Sequence, residues 1–122
     1  MTETNDPLKS KSMTFAIRIV RLYQYLTDKK KEFVLSKQLL RSGTSIGANR
    51  AEAQYACSKK DFLLKNTIAL KECAETIFWL DLLHATDYLT PKQFTSMNAD
   101  CQELLKMLIA ATRTLKTAQN PH

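Results

Sequence analysis

Apolar positions along residues 35–56 fall on a heptad stripe: Leu35, Leu39, Ser42, Ile46, Asn49, Ala53 and Ala56 are separated by alternating steps of four and three. That spacing keeps them on one side of an α-helix. The stripe passes through Gly43 and Gly47, the only glycines of the chain, without a slip. A phosphate-binding loop would not hold this register, and neither GxxxxGK[ST] nor GxGxxG is present. The pattern therefore predicts a helix over about 34–56.

Three further helices follow from the same reading. The first is predicted over about 12–30, with Ala16, Ile19, Val20, Tyr23 and Leu26 on one face and Arg18 and Arg21 opposite. Lys29, Lys30 and Lys31 stand at its C-terminal end, where positive charge suits the helix dipole. The third opens at Ser58-Lys-Lys-Asp61, a capping box in outline, and runs over about 58–86. The fourth opens at Thr90-Pro91-Lys92-Gln93, with Thr as N-cap, Pro at N1 and Gln at N3, and spans about 91–117. Its seam is Phe94, Met97, Cys101, Leu104, Leu108, Ala111 and Leu115. Residues 1–11 are expected to be a flexible segment and 118–122 a frayed tail. Breaks this short make successive helices antiparallel, so an all-α, up-down-up-down four-helix bundle is expected.

The third helix carries two apolar faces. Leu63, Asn66, Leu70, Cys73, Ile77, Leu80 and His84 form one stripe; Leu64, Ile68, Phe78 and Leu82, with Trp79 beside them, form another. A helix with two apolar faces is usually buried on both. The second face is expected to meet another subunit, the alternative being that the N-terminal segment folds over it. Gly43 and Gly47 lie four apart on one helix face, where a missing side chain lets another backbone approach. A kink is the alternative. With Phe78, Trp79 and Leu82, the two glycines are the candidate oligomer contacts.

Composition narrows the chemistry. With two Gly and three Pro in 122 residues, and 44% hydrophobic, the chain suits long helices around one core. No apolar run approaches a membrane span, and MTETNDPLKS contains no signal-peptide apolar region. Cys57, Cys73 and Cys101 form no CxxC, so free thiols in a reducing, cytoplasmic compartment are expected. No metal site is expected: a di-iron bundle needs Glu-x-x-His on each of two helices, but Glu72 and Glu75 are followed three residues on by Glu75 and Phe78. A Cys–His nucleophile would have to use His84, and nothing nearby activates a thiol. No catalytic residue and no cofactor are assigned, and the protein is not expected to be an enzyme. Ser42, Asn49, Asn66 and His84 lie on seams and need hydrogen-bonding partners; a seam Asn commonly fixes register.

The net charge is +6, from 18 Lys and Arg against 12 Asp and Glu, which is compatible with nucleic acid or another acidic partner. Arg18, Arg21, Lys92, Lys106 and Arg113 are the candidate nucleic-acid contacts, diluted by Asp100 and Glu103. No helix-turn-helix or zinc finger is legible.

LSKQLLRSGTSIGANRAEA followed by KKDFLLKNTIALKECAETIFWLDLL resembles the "four helix bundle protein" family, also called the 23S rRNA intervening-sequence protein family. The resemblance spans about 12–117 and extends to the accessory variability determinant proteins of diversity-generating retroelements. Its most specific part is Ser45-Ile46-x-x-Asn49-x-x-Glu52, preceded by the basic Arg41; Ala69 and Glu72 match a weaker motif. The chain departs from the pattern at Gly47, where many relatives carry Pro or another small residue, and at Ala53, where many carry Gly. The second departure suggests a longer helix two. The resemblance implies a bundle assembled into a homopentameric ring, without catalytic activity or cofactor, and a role in binding nucleic acid, RNA in particular. It also implies an alternative role as an adaptor that recruits a protein partner such as a reverse transcriptase.

Overall fold

The computed structural model describes residues 6–119, which form four helices: α1 Pro7–Asp28, α2 Leu35–Ala53, α3 Lys59–Ala85 and α4 Pro91–Gln119. Each packs beside its neighbour in sequence, and α4 closes more loosely on α1. The expected all-α four-helix bundle is the architecture found.

The helix starts follow local chemistry. Thr90 Oγ1 accepts from the Gln93 N–H at 3.1 Å while Gln93 Oε1 accepts from the Thr90 N–H at 2.9 Å, a reciprocal capping box. Ser58 Oγ accepts from the Asp61 N–H, but Asp61 reaches back to the N–H of Cys57 instead of that of Ser58. The α1 start differs from expectation. Asp6 accepts from the Lys9 N–H at 3.0 Å and Pro7 occupies the first turn, so residues 7–11 are helical instead of flexible. The remainder of that predicted segment, residues 1–5, lies outside the described residues, as do residues 120–122 of the predicted tail. At the other end of the chain, α4 continues through Gln119, past the expected end near 117. Helix α2 stops at Ala53, short of the expected 56, because residues 54–56 bond three residues back and tighten out of the helix.

The core line of α1 is Leu8, Ser12, Phe15, Ile19, Leu22 and Leu26. This corrects the expected face, since Val20 is exposed and Ala16 only half-buried. The stripe begins at Leu8, inside the stretch expected to be unstructured, and its 4-3 steps run on from there. In α3 the buried line is Asn66, Ala69, Cys73, Thr76, Leu80 and Leu83, with Leu63, Leu70, Ile77 and His84 flanking it half-buried. Small groups hold the closest approaches there. Thr76 donates to Ser42 Oγ of α2 at 2.9 Å, and Cys73 Sγ lies 3.7 Å from Cys101 Sγ of α4. The hydrogen bond between those thiols and their burial push Cys101 above its ordinary range.

Gly43 and Gly47 face α1 of the same chain. A Cβ on Gly43 would fall 2.7–2.9 Å from three side-chain atoms of Ile19, and one on Gly47 3.4 Å from the Ser12 carbonyl oxygen. The glycines therefore set the α1–α2 crossing, and buried Gly43 belongs to intrachain packing and not to the expected subunit contact, whereas half-buried Gly47 also lines an open cleft. Intrachain packing takes up the space beside Gly43.

The α1–α2 connection has a cap that the sequence reading missed. Glu32 is buried, and its carboxylate accepts from the N–H groups of Val34, Leu35 and Ser36 at 3.2, 3.0 and 2.6 Å. Burial pushes the Glu32 carboxyl up, but these backbone bonds outweigh it and hold the group below the usual carboxylate value. A depressed pKa contributes stability above the unfolded-state value, near 4.5, and loses it as pH falls through the folded-state value. Glu32→Ala should cost about 2 kcal/mol at neutral pH. The gap from wild type should close as pH falls below about 4.5 in urea unfolding, whereas a constant gap would show that the carboxylate charge is irrelevant.

Candidate nucleic-acid interface and assembly surfaces

The family-motif residues lie between α2 and α3. Arg41 pairs with Glu72 at 3.2 Å and with Glu75, whose carboxylate also accepts from Trp79 Nε1 at 2.9 Å. Ser45 donates to the Arg41 carbonyl at 2.6 Å, and the Asn49 side-chain amide donates to the Ser45 carbonyl at 2.9 Å. Glu52 pairs with Lys65 at 2.9 Å, which raises the lysine above its ordinary value. Asn49 is half-buried and bonds within its own helix, in place of the inward, register-fixing role expected for it. The buried asparagine is Asn66, whose Oδ1 accepts from Arg50 at 3.2 Å while Arg50 lies over the Phe62 ring. These contacts hold the helices in register, and none leaves a nucleophile or general base facing a cavity.

His84 stacks on Phe94 with ring centroids 4.4 Å apart. No group of three His, Cys, Asp or Glu side chains able to hold a metal is found among the described residues. No helix among them is long and apolar enough to cross a membrane.

Apolar side chains stand open on α3 and on α1. On α3, Phe78 is 55% and Leu64 54% exposed, with Ile68 and Leu82 half-buried beside them. Trp79 contacts the exposed Phe78 edge-to-face at 5.0 Å but packs against the core, so it belongs only in part to this surface. The described N-terminal residues continue α1 and do not cross it. On α1, Met13, Ile17 and Val20 are exposed, and beside them Ala16, Gly47, Ala48 and Ala51 line an α1–α2 cleft of about 540 Å³.

The predicted basic contacts do not converge. Arg18 is committed to α4, paired with Asp100 and donating to Ser96 Oγ at 2.7 Å, where it stitches the loose α1–α4 seam. Arg21, Lys92, Lys106 and Arg113 are exposed and form no ion pair among the described residues. Lys92 and Arg113 are separated by about 31 Å of helix, at ~1.5 Å rise per residue. Lys29, Lys30, Lys31 and Lys37, also without ion pairs among the described residues, cluster at the α1–α2 tip. In the sequence alone, the lysine run shows only charge that suits the end of a helix dipole.

Residues 7–110 match the family described as 23S rRNA-intervening sequence protein. The chain belongs to this family. A crystal structure of a protein of unknown function from the S23 ribosomal protein family of Bacteroides thetaiotaomicron is similar to it. Sequence identity is 54%, with 86% of this chain and 97% of that one covered and a TM-score of 0.85. No curated protein matches. Membership in the 23S rRNA-intervening sequence family gives the chain a family and a fold.

Proposed function

We propose that this protein is a non-catalytic, self-associating bundle that binds RNA through its basic surface. The observation that carries the RNA reading is the partition of charge. Glu32, Glu52, Glu72, Glu75, Asp100 and Glu103 are engaged in caps and intrachain pairs, while toward one end of the bundle Arg21, Lys29, Lys30, Lys31, Lys37 and Lys92 have no ion pair among the described residues and outnumber the unpaired acids there, Asp28, Asp81 and Asp87. A polyanion recovers the interaction energy that such a surface leaves unused. The family name, which refers to sequences within ribosomal RNA, points the same way.

Self-association is supported by the open apolar residues on α3 and α1, too many large side chains on one small domain to be incidental. The two surfaces are not equivalent: one presents bulky Phe78 and Leu64, the other a cleft floored by glycine and alanine. Docking one against the other is head-to-tail, and such contacts form a ring when the rotation between copies closes and a filament when it does not. The ring of five implied by the family resemblance is the closed form we propose, in the cytoplasm, where thiols such as Cys73 and Cys101 stay reduced.

Light scattering on the purified protein should return a multiple of the 13.9 kDa chain mass at micromolar concentration. A single-chain mass would overturn the assembly reading.

A further inference from the structure

We infer that the α1–α2 tip, residues 29–37, is where a single-stranded segment of RNA is held, with a base stacked on Phe33 and its phosphates on the surrounding lysines. This rests on the RNA-binding reading above and names its site. Residues 28–37 contain two acids and four lysines. One of those acids, Glu32, is turned inward and buried as the α2 cap, so its charge is withdrawn from the surface. That leaves Lys29, Lys30, Lys31 and Lys37 exposed, against Asp28 alone.

The same fold-back throws two large apolar side chains outward: Phe33 is 55% and Val34 72% exposed. The tip is held rather than loose. The N–H of Lys29 bonds the Tyr25 carbonyl at 2.9 Å, that of Glu32 bonds the Leu26 carbonyl at 2.9 Å, and Lys31 takes a left-handed φ of 56° between them. An aromatic face fixed among cations is the combination that unpaired bases need: stacking works for any base, and the backbone charge is met alongside it. Duplex RNA offers phosphates but keeps its bases stacked on each other. Lys92, at the start of α4, lies at the same end of the bundle, beside the exposed acids Asp81 and Asp87.

The test is fluorescence anisotropy at low salt, with a short labelled single-stranded RNA and a duplex of the same sequence. Phe33→Ala should weaken single-strand binding about tenfold and duplex binding little, and Phe33→Tyr should restore it. Lys29→Glu with Lys30→Glu should weaken both. Thermal melts should be unchanged in Phe33→Ala, because the ring is half in solvent. If single-stranded RNA binds wild type and Phe33→Ala equally, this site is wrong while RNA binding stands. If neither RNA binds and anionic phospholipid vesicles capture the protein through Phe33, both readings fall.

Discussion

Gly43→Val should destabilise the protein by about 3 kcal/mol, lowering its melting temperature by roughly 10 °C. Position 43 is buried, and its Cβ alone would lie within 3 Å of three Ile19 atoms, before the two methyl groups are placed. Ile19 is fully buried in α1 and has nowhere to retreat. Helix propensity opposes the clash, since any residue other than proline gains up to ~1 kcal/mol over glycine. Gly43→Ala should therefore lose less than Gly43→Val. In an Ile19→Ala background, Gly43→Ala should cost little or stabilise, because the atoms it struck are gone. Thermal melts of the four proteins check this; equal effects of Gly43→Ala in both backgrounds would remove the close crossing from the account.

The second large effect is on assembly. Phe78→Glu should convert the proposed oligomer to a folded chain of 13.9 kDa, read by light scattering beside circular dichroism. A carboxylate buried without a partner at a subunit contact costs several kcal/mol, and a ring would repeat that cost at every contact. In the isolated chain Phe78 is 55% exposed, so the fold should lose less than about 0.5 kcal/mol. Trp79→Glu is a poorer probe, because Trp79 also packs on the core and bonds Glu75. A Phe78→Glu protein of unchanged mass would remove the α3 face from the interface.

The bundle was legible because heptad spacing survives ambiguous residues. The 4-3 steps carry α2 through two glycines, and Thr90-Pro91-Lys92-Gln93 specifies a helix start in four residues. The α1 face was misplaced because Leu8 stood in a polar stretch, where only the Asp6 cap and Pro7 reveal a helix. The glycine stripe was rightly read as a close approach, but spacing cannot say whether the approaching helix belongs to the same chain. Arg18 could not be distinguished from a free arginine, since Asp100 and Ser96 are its neighbours only in three dimensions. The tip was illegible for a related reason. KKKEFV reads as mixed charge until Glu32 is seen to turn inward.

Binding to RNA across a salt titration tests the central claim most directly. If about four phosphates are neutralised, affinity for a single strand should fall roughly 50-fold between about 50 and 200 mM salt, at ~0.7 log unit per phosphate. No binding at the lowest salt, or an affinity indifferent to salt, would contradict an electrostatic RNA-binding function for this bundle.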